Sequence, residues 1–433
     1  MQRIVGVLML ALAVVLGLPA PATASNDPFF PQQWNLAAIG AEAAWAEGRG
    51  AGTVIAVIDT GVDLSHEDLA GKLVPGTSYT SGSAQDDNGH GTHVAGIAAA
   101  STGNGTGIAG VAPDARILPI KVLNAEGVGS VADVATGIRF AADSGADVIN
   151  LSFGEVTTTR DKNAPAFTSA IRYAWDKGAI PVVAAGNDVT NTSNFTDEPA
   201  IVVTSSNRGD SRPGYASGVG NAQWGLAAPG GDGTVGSQQG CEPESGIVST
   251  YSAGTYACLV GTSMAVPHVA GAAAVLRSIG LSPQQVVDQL LATADDIGAA
   301  GTDTTFGSGR LNLVRAVQAS VPATTPPTAA PPPPTTEAPP SIAAPPATTE
   351  APPRTTEVPP TTEVPPTTAL PPPTVALPPN RAEPVQPPES QQAVARLDGD
   401  DDDNRYVVAA PAGLLAVGVG LASWRMRRQL PWS

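Results

Sequence analysis

The chain has 433 residues, a formal net charge of -17, 42 prolines and two cysteines. That length suits one large α/β domain with appendages, and the acidic balance argues against nucleic acid, which selects basic surfaces. Most prolines fall between Pro322 and Pro388, where bulky apolar residues are too scarce to build a core, so the folded part lies upstream.

Residues 1–24 carry Arg3, an apolar run from Ile4 to Leu18 and the small-x-small triplet Ala22-Thr23-Ala24. This pattern predicts a secretory signal peptide removed after Ala24. Residues 25–50 then read as a short N-terminal extension. From 51 to 320, short β-branched runs alternate with longer Ala-rich segments, which predicts parallel strands joined by crossover helices. The expected strands are Val54 to Ile58, Ile117 to Val122, Asp147 to Leu151, Ile180 to Ala185 and Ile201 to Thr204. All are apolar on both faces, as a sheet covered by helices on both sides requires. The expected fold is therefore α/β, three layers with a mostly parallel central sheet.

Ser130 followed by Asp133 predicts a capped helix over Val134 to Ala142, and Ser282-Pro283 predicts another over Val286 to Leu291. The segments after His90 and after Ser263 are rich in Ala and Gly, so helices there can lie close to the sheet. Cys241 and Cys258 would meet oxidising conditions in an exported chain, which predicts one disulfide bracing the loop that enters Ser263. No metal site is expected from them, because no further Cys or suitable His lies near.

Residues 321–396 are a Pro/Thr-rich linker in which Thr-Thr-Glu-Val-Pro-Pro occurs in tandem at Thr355 and Thr361. Such a composition gives an extended, semi-rigid spacer. An acidic segment, 397–405, precedes an uncharged apolar run at 406–424. About 18 apolar residues reach roughly 27 Å, enough to cross a hydrocarbon core, so a transmembrane helix is expected there. Arg425, Arg427 and Arg428 begin a tail, 425–433, that the positive-inside rule places in the cytoplasm, with the folded domain outside.

Chemistry concentrates in three motifs. Ser263 stands in Gly261-Thr262-Ser263-Met264-Ala265 at the start of a predicted helix, Met264 to Arg277. A serine hydroxyl is a poor nucleophile at neutral pH and needs a base to take its proton and a carboxylate to orient that base. Taken alone, Ser263 would be a helix cap. His90, in His90-Gly91-Thr92-His93, can be the base, and Asp59, closing the first strand, can be the carboxylate, since functional groups gather at the carboxyl ends of parallel strands. Asp59-Thr60-Gly61 also fits an aspartic peptidase, which needs two such loops, and a second is absent. A zinc reading of His90 and His93 lacks an acidic partner at helical spacing, leaving His93 as a core histidine.

Together these motifs, in the order Asp, His, Ser, resemble the subtilisin-like serine proteases. The resemblance runs from about Trp34 to Val317 and implies a subtilisin-like fold, a protein or peptide substrate, and catalysis without a cofactor. It implies that Asn187 is the side-chain donor of an oxyanion hole, and that Ser152-Phe153-Gly154 pairs with an extended substrate, with Phe153 between two subsites. It also raises a structural calcium, for which Asp68 fits, although the 101–107 loop does not clearly reproduce the family's calcium loop. The whole architecture of signal, extension, peptidase, proline-rich linker and C-terminal span is similar to the mycosins, proteases associated with type VII secretion. That similarity implies secretion-system components as partners and admits an assembly role beside proteolysis. An adhesin on a proline stalk is a further alternative, which none of the motifs requires.

Overall fold

The computed structural model describes residues 25–153, 165–193, 195–235, 241–320 and 406–408. The predicted signal peptide, linker, acidic segment and cytoplasmic tail, residues 409–424 of the predicted span, and Gly154 lie outside the described residues.

The residues before the first strand are part of the fold. Helices α1 (Trp34–Ala38) and α2 (Ala41–Ala44) sink Trp34, Leu36, Ile39, Ala41 and Ala44 into the main core. Polar bonds fix their position: Trp34 Nε1 donates to the Gly246 carbonyl at 2.9 Å, and the Gln33 amide exchanges two bonds with the backbone of Ala109 at 2.8 and 2.7 Å.

The strands and helices then follow in chain order. They are β1 (Val54–Asp59), β2 (Thr77–Ser78), α3 (His90–Ala99), β3 (Arg116–Lys121), β4 (Val128–Ser130), α4 (Val131–Asp143), β5 (Val148–Leu151), α5 (Pro165–Asp176), β6 (Ile180–Ala184), β7 (Ile201–Ser206) and β8 (Trp224–Pro229). A hairpin of β9 (Ile247–Tyr251) and β10 (Thr255–Leu259) leads into α6 (Thr262–Ser278), α7 (Pro283–Ala292) and α8 (Leu313–Ser320). Seven strands form one parallel sheet in the order β2-β3-β1-β5-β6-β7-β8.

Both faces of this sheet are covered, and the two-residue period of a strand shows it. In β1, Ile55 and Val57 belong to a core shared with α3, α6, α7 and α8, while Ala56 and Ile58 belong to a second core shared with α4 and α5. The three-layer α/β expectation is met. Ser130 caps α4, its Oγ accepting from the Asp133 N–H at 3.0 Å, and Ser282 with Gln285 forms a capping box on α7.

The predicted transmembrane helix requires a correction at its start. Tyr406–Val408 is a strand, β11, paired antiparallel with β4. Among the described residues no helix is long and apolar enough to cross a membrane.

Candidate active site

Asp59 ends β1 at the carboxyl edge of the sheet and is fully buried. Its Oδ1 accepts the Thr60 N–H at 2.7 Å and lies 2.8 Å from His90 Nδ1. A carboxylate can only accept here, so Nδ1 carries the ring proton and the Nε2 lone pair is available. His90 Nε2 is buried and has no hydrogen-bond partner. His90 is 3 % exposed, so its ring is enclosed. Burial alone would disfavour the imidazolium, but the Asp59 charge and hydrogen bond, with a smaller pull from Asp86, raise the His90 pKa above its ordinary value.

His90 is held because every N–H in the first turn of α3 has a partner, where a helix normally leaves them unsatisfied within itself. His90 N–H donates to Asn88 Oδ1 at 3.1 Å, Gly91 N–H to Thr60 Oγ1 at 2.9 Å, Thr92 N–H to Asp86 Oδ2 at 2.9 Å and His93 N–H to the Gly89 carbonyl at 3.0 Å. The helix also lies unusually close to the turn after Asp59, since a Cβ on Gly91 would stand 2.0 Å from the Gly61 carbonyl oxygen. Asp86, Asn88 and Thr60 are positioning residues that the motif reading overlooked. The signal was available, as Asp-Asp-Asn-Gly immediately before His90 is a run of capping residues.

Ser263 is the second residue of α6 and is buried, and its Oγ has no partner. The turn before it depends on Gly261, whose φ of +152° and ψ of 162° fall in a region open almost only to glycine. A Cβ built there would lie 3.7 Å from both Asn187 Nδ2 and the Ser263 backbone nitrogen, so two donors flank one point. The orientation of the Asn187 amide is fixed by its other end, because Oδ1 accepts from the N–H and hydroxyl of Thr262, each at 3.0 Å. The NH2 therefore points away from Thr262 and is free to donate.

Ser152 joins this half of the site through its side chain. Pro267 sits inside α6 and has no N–H to give to the Ser263 carbonyl four residues earlier. Ser152 Oγ supplies that bond at 2.9 Å and in turn accepts from Asn150 Nδ2 at 2.8 Å. Phe153 is 3 % exposed and packs in the second core.

The β9–β10 hairpin links the two halves. Ser249 and Thr250 hydroxyls donate to the carbonyls of His93 and Thr92 at 2.7 Å each, and His93 Nε2 bonds the Ile247 and Ala257 carbonyls at 3.1 and 3.2 Å. Burial lowers the His93 pKa to about 3, so this ring is a neutral core group. The expected disulfide is present: Cys241 bridges Cys258 of β10 with their Cα atoms 5.7 Å apart. Helix α6 is tied to the N-terminal segment as well, since Asn35 Nδ2 lies 2.7 Å from His268 Nε2.

Away from this edge, the 103–108 loop folds around two buried carboxylates. Asp27 accepts the N–H groups of Gly103, Asn104 and Gly105 at 2.8 to 3.1 Å, and Asp68 accepts from Asn104 Nδ2 and the Ile108 N–H at 3.0 and 2.8 Å. Burial first, then the Asp27 charge, push the Asp68 carboxyl up to about 6. Each of these bonds comes from an N–H donor that a cation would have to displace, so the pair as it stands does not fit a hard cation, and among the described residues no three acidic, His or Cys side chains gather as a metal site.

A parallel sheet that brings a buried Asp–His pair to its carboxyl edge, beside a helix opening with an unpartnered serine, defines a hydrolase of the serine class. The chain belongs to the subtilase family, whose pattern matches residues 50–309. It is 43% identical over 298 residues to thermitase of Thermoactinomyces vulgaris, covering 68% of this chain and 99% of thermitase. It is 38% identical over 300 residues to subtilisin DY of Bacillus licheniformis, covering 66% of this chain and 98% of that protein. Among solved structures, a protease of Pseudoalteromonas arctica PAMC 21717 matches with a TM-score of 0.60 and 32% identity, over 69% of this chain and 100% of that one. The chain is thus a subtilisin-like serine endopeptidase acting on protein or peptide substrates.

Proposed function

We propose that this endopeptidase cuts peptide bonds through Asp59, His90 and Ser263 by way of an acyl-enzyme. The observation that carries the reading is a pair of buried orphan atoms with complementary roles: His90 Nε2, whose other nitrogen is held by Asp59, and Ser263 Oγ. Such groups are rarely left unpaired in a folded protein unless something is meant to meet them.

In this mechanism His90 Nε2 takes the Ser263 proton as Oγ attacks the scissile carbonyl, and Asp59 steadies the imidazolium that forms. Asn187 Nδ2 and the Ser263 N–H receive the developing oxyanion at the point they flank. His90 then gives its proton to the leaving amine, and a water activated by the same ring releases the acyl group. Ser152 to Gly154 aligns the substrate through its backbone. No cofactor takes part in catalysis.

A fluorophosphonate probe tests the triad directly. It should label full-length protein at Ser263 and fail on Ser263→Ala, while Asn187→Ala should keep the label but lose roughly 10²- to 10³-fold in kcat, a magnitude carried over from a subtilisin. Equal labelling of wild type and Ser263→Ala would refute the assignment.

We further propose that the domain works outside the cell, exported by residues 1–24 and held at the membrane by the apolar run ending before Arg425. The mycosin-like architecture supports a second role, as an assembly or stabilising component of a type VII secretion system. Comparing a Ser263→Ala strain with a deletion separates the two. Equal secretion defects support proteolysis, and rescue by the alanine form supports assembly.

A further inference from the structure

β4 (Val128–Ser130) stands apart from the seven-stranded sheet, yet its approach is fixed to the catalytic edge. The N–H groups of Val122 and Leu123 both donate to the Asp59 backbone carbonyl, at 2.9 and 3.2 Å. Asn88, two residues before His90, donates through Nδ2 to the Ala125 carbonyl at 2.8 Å. The turn then closes with Asn124 N–H on the Val128 carbonyl at 2.9 Å and Val128 N–H on Asn124 Oδ1 at 2.9 Å. One side of the strand is shut, because a Cβ on Gly129 would stand 2.2 Å from the Val122 carbonyl oxygen. Its backbone edge is what remains, and an edge strand offers unpaired N–H and C=O groups to any extended chain.

Among the described residues the strand partner of β4 is β11, far along the same chain: Tyr406 pairs with Ser130, Val407 with Gly129 and Val408 with Val128. Tyr-Val-Val is a strongly strand-favouring triplet. The long 321–396 segment before it is proline-rich, and proline cannot donate to a ladder.

We propose that Tyr406–Val408 is an intramolecular pseudosubstrate, an extended segment that occupies the β4 edge beside Asp59 and His90 and competes there with peptide substrate. The proposal rests on the reading that peptides are cut at this edge. Strand addition supplies the recognition, main chain to main chain, so the competing ligand is an extended peptide rather than a folded surface. Tethering makes the competition intramolecular, set by an effective concentration and not by dilution. Displacing the segment then raises activity on peptides that need β4, while leaving small reagents that touch only Ser263 indifferent to it.

The test uses full-length protein and a Val407→Pro/Val408→Pro variant; successive N–H groups of a strand point to opposite sides, so one of the two prolines removes a ladder N–H to β4. The KM for a tetrapeptide p-nitroanilide should fall roughly threefold or more in the variant. A synthetic peptide spanning residues 403–410 should then inhibit the variant competitively and a scrambled peptide should not. An unchanged KM, or a peptide no better than its scramble, overturns the proposal. Fluorophosphonate labelling of Ser263, run on both proteins, keeps the two failures apart, since absent labelling refutes the triad and equal labelling with unchanged KM refutes the pseudosubstrate.

Discussion

His90 and His93 sit one turn apart on α3, both buried, and their chemistry is opposite. The environment of His90 raises its pKa, and that of His93 lowers its pKa to about 3. Desolvation opposes the charged ring in both places, so burial does not distinguish them. The partner does. His90 meets a carboxylate at 2.8 Å, whereas His93 meets two neutral carbonyls and the positive field of His90 itself. A single helix thus carries a carboxylate-paired ring, the proposed proton-transfer group, on one side and a structural strut on the other, chosen by what the neighbouring strands present.

The sharpest way to break this contrast is to remove each ring in turn. His90→Ala should cost about a millionfold in kcat, the loss known for a subtilisin base, with the fold retained. His93→Leu should leave the triad atoms in place and act through stability. Stopped assays with active-site titration separate the two, because titration counts the folded, competent fraction. Comparable losses per competent site would erase the distinction. Asp59→Asn attacks the cause rather than the ring. It removes the charge that raises the His90 pKa and invites the wrong tautomer, with an expected loss of about 10⁴-fold in kcat. The acid limb of kcat/KM, which in the wild type should lie above the ordinary histidine value of 6.5, should also move down. An unmoved limb would show that the limb reports another group.

Sequence made this division visible only in part. The five strands expected from β-branched runs all form, with ends shifted by one or two residues. Strand β8 escaped because Trp-Gly-Leu-Ala-Ala-Pro contains no β-branched residue, and its place is set by pairing with β7 rather than by propensity. The triad motifs were legible because each packs several constraints into a few residues. Gly91 is needed for close approach to Gly61, Gly261 for its backbone angles, and Asp59 for the Nδ1 bond. The capping run before His90 signalled Asp86, but the bond from Thr60 into α3 was not legible, because it spans 31 positions and depends on tertiary placement. Phe153 shows a related limit, since an aromatic beside a substrate segment and an aromatic in a core look alike in sequence.

A smaller effect separates the two rings by pH. His93 is neutral when folded and protonates near 6.5 when unfolded, so its contribution is present above 6.5 and is lost as pH falls toward 3. His90 has the reverse sign: its raised folded pKa contributes stability below 6.5 that disappears as pH rises through that folded value. In a Ser263→Ala background, which prevents self-digestion, unfolding free energies from urea melts of His93→Leu should be lower at neutral pH by about 1–3 kcal/mol. They should also fall less steeply between pH 6.5 and 4 than in the parent. A parallel slope would mean that the ring is not buried neutral. His268, also pushed down to about 4 by burial, should keep part of the slope in both proteins.

The smallest expected change falls on the nucleophile side. Ser152→Ala leaves the Ser263 carbonyl without the hydroxyl that stands in for the missing Pro267 N–H. An unsatisfied buried carbonyl costs about 1–3 kcal/mol, and part of that strain should reach Ser263 itself as a lower kcat with little change in KM. Restoring an N–H at the other end, in Ser152→Ala/Pro267→Ala, should recover stability, because the helix can then close its own bond. If the double variant is no better than the single one, Ser152 acts on Ser263 by a route other than this carbonyl. Its bond to Asn150, at 2.8 Å, would then be the next contact to sever.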